Sequence, residues 1–117
     1  MNKADFLSRN QLPFRELNIK EFGKVYVKGW NADWQTWYEA NTKSTQRRFL
    51  VAVALAACDE KGERLFAKSN DKGQPSFDND DLAEIAKLPQ GALMAMVIAI
   101  GEMNRFTLED LEETKKN

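Results

Sequence analysis

Two apolar runs constrain this 117-residue chain more than anything else in it: "FLVAVALAAC" at 49–58 and "ALMAMVIAIG" at 92–101. Each is about half the length that argues for a membrane span. Each is too apolar to be a half-exposed surface helix. Both therefore read as buried helices, over about 46–58 and 90–104, forming the centre of the fold. In the first, Phe49, Leu50, Val53, Ala54 and Ala57 make the inner stripe, and Val51 and Leu55 widen it.

The other elements are arranged around these two. Val25 and Val27 alternate with Lys24, Tyr26 and Lys28, the period of a half-buried strand. With "PFRELNI" before it and Gly23 in the connection, a hairpin is predicted over about 14–29. "ADFLSRN" predicts a short helical turn. Asn31 can cap a helix over 31–41, with Asp33 in its first turn. Thr42 or Ser44 can cap the next one. "CDEKGERLF" predicts a hinge in which Leu65 and Phe66 pin the turn to the core, and residues 67–77 read as a loop. Asp78 or Asn79 caps a helix over 79–88, Pro89 starts the second apolar helix, and Thr107 with Asp110 suggests a capped helix over 107–115. The expected fold is mainly α (α+β): one compact helical domain, residues 1–117, with an N-terminal β-hairpin. A domain of this length buries roughly two-thirds of the surface its unfolded chain exposes, so it needs no staples. "MNKADFLSRNQLPF" has no apolar segment of the kind a secretory signal carries.

Chemistry-bearing motifs are missing. There is no histidine, which removes Ser/His/Asp and Cys/His arrangements and the common His-based metal sites. The one cysteine, Cys58, fits a reducing compartment and lies on an apolar helix, so it reads as a buried thiol. The acidic turns fail as calcium loops. With Gly62 at the sixth loop position, Lys61 and Lys68 occupy ligand positions; with Gly73 there, Lys68 and Lys72 do. No phosphate-cradling glycine motif occurs. Carboxylate pairs such as Asp80/Asp81 and Glu112/Glu113 read as capping and solvated charges. The expectation is a protein that is not an enzyme and has no cofactor and no metal.

Partner contact is the remaining source of function. Residues 1–48 carry nine Lys/Arg and five Asp/Glu, and residues 78–117 carry four and nine. A basic front and an acidic back can attract other copies head to tail, through contacts that close into rings or continue as spirals and that salt weakens. Lys24, Lys28, Arg47 and Arg48, with Lys20, would supply the basic side. Asp78, Asp80, Asp81, Glu109, Asp110, Glu112 and Glu113 would supply the acidic side. Trp30, Trp34 and Trp37 lie within eight residues, a density that reads as core with a possible surplus for a partner surface, where tryptophan is enriched. Basic residues beside aromatics also suit a small nucleic-acid-binding regulator, but the sequence pI of about 5.5 argues against it.

The order of pieces resembles that of the tail assembly chaperones of long-tailed bacteriophages. A hairpin precedes "RRFLVAVALAAC" and "DEKGERLF". "DLAEIAKLP", an apolar helix ending "IGEMNRF", and "TLEDLEE" follow, with Asn104 and Phe106 in the family's "LN-x-hydrophobic" place. The likeness covers about residues 14–113. It implies a non-enzymatic morphogenesis factor in the cytoplasm of the infected host, absent from the finished particle. Such a factor coats the helical tape measure protein, keeps it soluble and recruits tail tube subunits. It also implies self-association and a longer form made by ribosomal frameshifting, for which the lysine pair in "TKKN" leaves room. The alternatives to this reading are the small nucleic-acid-binding regulator and a structural virion subunit that stays in the particle. Neither nucleic acid nor membrane is an expected partner.

Overall fold

A computed structural model describes residues 1–9 and 11–104. The element order begins with α1 (Lys3–Leu7), a single turn capped by the Asn2 side chain, which accepts from the Asp5 N–H at 2.8 Å. β1 (Phe14–Ile19) and β2 (Gly23–Lys28) pair antiparallel, from Phe14 opposite Lys28 to Ile19 opposite Gly23. The connecting turn closes with the Phe22 N–H donating to the Ile19 carbonyl at 3.0 Å. Glu21 there takes φ 67, a left-handed value unusual outside glycine. Strand alternation places Val25 and Val27 toward the core, and Val27 is fully buried.

α2 (Ala32–Asn41) starts where the cap predicts: the Asn31 side chain accepts from the Trp34 N–H at 2.9 Å. Thr42 does not cap the following helix. Its hydroxyl donates back to the Tyr38 carbonyl, closing α2. α3 (Thr45–Ala56) begins after Ser44, whose side chain makes no capping bond.

The first apolar run is a helix for only part of its length. α3 stops at Ala56, not Cys58. Ala57 turns extended (φ −60, ψ 129), and Ala57–Cys58 forms β3, opposite Val27 and Tyr26 of β2. A short apolar run suits a buried helix and a buried strand equally, and here the free edge of β2 claims its last two residues. The sheet order is β1-β2-β3.

After β3 the chain makes one turn twice. In residues 59–63 the Asp59 side chain accepts from the N–H groups of Lys61 (2.8 Å) and Glu63 (3.0 Å), and the Asp59 N–H donates to the Glu63 carbonyl (2.9 Å). In residues 70–74 Asn70 makes the same set with Lys72 and Gln74, at 2.9, 3.0 and 2.8 Å. Gly62 (φ 81) and Gly73 (φ 74) supply the left-handed residue of each. The second turn joins β4 (Lys68–Ser69) to β5 (Pro75–Ser76), a small hairpin inside the segment expected to be loop.

α4 (Asn79–Ile85) is capped by Asp78, whose side chain accepts from the Asp80 N–H at 3.0 Å, and it ends earlier than residue 88. α5 (Gln90–Asn104) follows Pro89. The helix expected over 107–115 lies outside the described residues.

The fold is therefore mixed α+β. α3 is its centre, with Val51, Val53 and Leu55 almost wholly buried. α5 covers it with Ala92, Leu93, Met96, Ala99 and Ile100, α4 with Leu82 and Ile85, and α2 with Trp34 and Tyr38. Fully burying a side chain the size of Leu55 contributes roughly 2–3 kcal/mol.

Candidate functional site

β2 is six residues long, but β3 pairs only with Tyr26 and Val27. The chain then leaves the sheet at Asp59 into the first of the two turns. That early departure leaves the Gly23–Val25 end of β2 uncovered on one side, and a groove of about 480 Å³ opens there. Phe22 and Val25 line it from the hairpin, Leu65 and Phe66 from beyond the turn, Leu88 from beyond α4, and Met96 from α5. Lys24, Asp59, Glu60 and Glu84 are its charged wall residues, an acidic majority.

Leu65 was expected to pin the turn to the core. Instead it is 60% exposed and stands on the groove, while Phe66 is half-buried and does the pinning. The residue directly before Leu65 explains this. Arg64 points inward, and its guanidinium stacks over the Trp34 ring with 4.4 Å to the centroid. It donates to the Gly29 carbonyl at 2.7 Å and to the Leu55 carbonyl at the end of α3. Burial lowers the Arg64 pKa, with the neighbouring Cys58 opposing that shift. Since Arg64 points in, the next residue along extended backbone points out.

Cys58 is buried and lines the groove. Burial raises its thiol pKa, against the opposing pull of Lys28 and Arg64, so the thiol stays protonated and unreactive at neutral pH.

The predicted partner residues scatter. Trp30 and Trp34 belong to the core, too buried to offer a surface, because their rings fill the space beside α3. Trp30 packs on Tyr38 with ring centroids 5.0 Å apart, and its indole N–H donates to Gln35 at 2.6 Å. Trp34 Nε1 is buried with no partner among the described residues. Trp37 is half-buried, edge-on to Phe77 at 5.9 Å. Lys24 pairs with Glu16 at 3.1 Å, which raises the lysine pKa and lowers the carboxyl's. Lys28 donates to the Gly62 carbonyl at 3.0 Å. Arg48 lies 5.9 Å over the Tyr38 ring. Arg47 shares a cleft of about 450 Å³ with Asn79 and Leu82, beside the capping Asp78 and the first-turn Asp80 and Asp81 of α4. Arg47 is thus the member of the basic set placed beside the start of α4, while Lys24, Lys28 and Arg48 have the other partners just named. Glu109, Asp110, Glu112 and Glu113 lie outside the described residues.

Asn104, singled out by the tail-chaperone likeness, has a defined job: its Oδ1 accepts from the Trp30 N–H at 2.8 Å and its Nδ2 donates to the Ile100 carbonyl at 3.0 Å. It ties the end of α5 to the β2–α2 junction. Among the described residues no cluster of three or more His, Cys, Asp and Glu could hold a metal ion, and no single helix is long and apolar enough to cross a membrane. No family model, curated protein or solved structure matches the chain.

Proposed function

We propose that this protein is a tail assembly chaperone of a long-tailed phage and that its groove holds the apolar face of a helical client, the tape measure protein. The groove carries the reading. It is apolar inside, acidic at its walls, and sized for the side chains that an amphipathic helix presents at i, i+3 or i+4, and i+7. The acidic walls favour a client segment with Lys or Arg flanking its apolar stripe. Leu65 and Phe22, 60% and 37% exposed, are apolar side chains held ready for such a contact. Bound copies would cover the client in the cytoplasm of the infected host, hand it to tail tube subunits and leave the finished particle. Head-to-tail contacts between copies and a longer frameshifted form belong to the same proposal.

Leu65→Asp is the test. The side chain is exposed, so the variant should fold with an unchanged denaturation midpoint. Its binding to purified tape measure protein should fall at least tenfold. Binding within twofold of wild type would remove the groove from the proposal. Failure of the wild-type chain to keep co-expressed tape measure protein soluble would remove the chaperone reading itself.

A further inference from the structure

We propose that the free edge of β1 is a two-fold contact between two copies of this chain, centred on Asn18. The inference stands apart from the client reading and does not use the groove.

β1 is the outer strand, and among the described residues no strand pairs with its far side. The phase of its hydrogen bonding is fixed. The Gly29 N–H donates to the Pro13 carbonyl at 2.9 Å, which continues the register in which Phe14 faces Lys28. In an antiparallel ladder every second pair exchanges hydrogen bonds. Pro13, Arg15, Leu17 and Ile19 therefore point their backbone groups toward β2. Phe14, Glu16 and Asn18 point theirs outward along the edge, with no strand partner among the described residues. Such an edge is a template for another strand.

Only some registers of self-pairing are open. The outward positions of one copy must face outward positions of the other, so the two-fold axis must pass through a residue. Four such registers overlap β1 on itself by three residues or more, centred on Arg15, Glu16, Leu17 or Asn18. The first two set Arg15 against Arg15 or Glu16 against Glu16, and like charges directly opposed are destabilising. Centring on Leu17 leaves Arg15 against Ile19 and Glu16 against Asn18, with no charge matched.

Centring on Asn18 opposes no like charges. Leu17 meets Ile19 across the axis, and Glu16 comes beside Lys20, the first residue after the strand; beyond Lys20 the chain folds back to β2, with the Phe22 N–H on the Ile19 carbonyl. Within "ELNIK" the two ends carry opposite charges, so a two-fold axis through Asn18 sets each against the other. Leu17–Ile19 supplies the strand overlap. Lys20 stands in the turn just beyond it. The pairs already made inside a protomer, Arg15 with Glu102 and Glu16 with Lys24, are well exposed and weakly held, so they do not bar the exchange. The same charges that turn away a foreign strand accept a second copy. The contact is isologous, so it yields a closed dimer by itself.

Sedimentation equilibrium of the full chain, alone and in mixtures, tests this. Glu16→Lys and Lys20→Glu each place like charges across the axis, and each should raise the dimer dissociation constant at least tenfold. Mixed one to one, the two variants restore both ion pairs in a heterodimer, which should recover to within about threefold of wild type. Recovery on mixing cannot come from chains that failed to fold. A wild-type chain that stays monomeric at millimolar concentration, single variants that dimerise as wild type does, or a mixture no tighter than its components would each overturn the proposal.

Discussion

The two five-residue turns at 59–63 and 70–74 have the same hydrogen bonds and a glycine at the same place, yet only one of them is wired into the core. Gly62 is buried, its carbonyl is held by Lys28, and the next residue but one is Arg64, which reaches Gly29, Leu55 and Trp34. The second turn stands out on the β4–β5 hairpin, with Asn70, Asp71, Lys72 and Gln74 exposed. Local sequence writes the turn in both cases, because an Asx side chain and a left-handed glycine satisfy the backbone without outside help. What the turn is worth to the molecule is decided by the residue that leaves it.

That difference can be broken most forcefully at Arg64. Arg64→Ala leaves two inward carbonyls without their donor and strips the face of Trp34, so stability should fall by roughly 3 kcal/mol in urea denaturation. Arg64→Lys should recover less than half of this, since a point charge cannot stack and bridge two carbonyls at once. A loss below about 1 kcal/mol for Arg64→Ala would mean the two turns are equivalent after all.

Replacing the glycines sharpens the comparison. A Cβ at Gly62 would meet Phe14 at 3.6 Å, and one at Gly73 would meet Asp33 at 3.7 Å, both ordinary contacts. The cost in each is then the left-handed backbone alone, about 1–2 kcal/mol. Gly62→Ala and Gly73→Ala should shift the urea midpoint about equally. A much larger effect at Gly62 would show that the Phe14 contact cannot yield.

The smallest effect is in acid. The backbone N–H groups of Glu63 and Lys61 pull the Asp59 carboxyl below its ordinary 3.8, so the unfolded chain takes up this proton first. The stability it contributes is present above about pH 4 and is lost as pH falls through the folded value. Asn70 has no such proton to gain. Asp59→Asn should therefore leave the urea midpoint at pH 7 nearly unchanged and flatten its fall as pH drops below about 4. The slope that remains belongs in part to Glu16, which Lys24 and Tyr26 hold down in the same way. An acid limb identical to wild type would mean the Asp59 turn carries no charge-dependent stability.

Much of this architecture could be read from the chain because its signals are local. The alternation around Val25 and Val27 marks β2, Asn31 and Asp78 cap the helices they precede, and the run after Pro89 is α5. What escaped depends on distant partners. The last two residues of the apolar run at 49–58 change from helix to strand only because β2 has an open edge for them. The outward turn of Leu65 follows from the inward turn of Arg64, whose partners lie 35 and 9 residues away. An arginine directly after an acidic Gly turn and ahead of Leu-Phe-Ala was the available sign, but its charge reads as surface. The groove is assembled from the hairpin, the first turn, α4 and α5, so no window of sequence contains it.

The clasp also orders events in time. The 59–63 turn is complete within five residues and can form while the rest of the chain is open. Arg64 is then delivered on a preset corner, and closing the 35-residue span to Gly29 needs fewer torsions to be searched. The Arg64 contacts themselves require α3, β2 and α2 to be in place already. Contacts that wait on three assembled elements act on how slowly the folded chain opens more than on how quickly it closes.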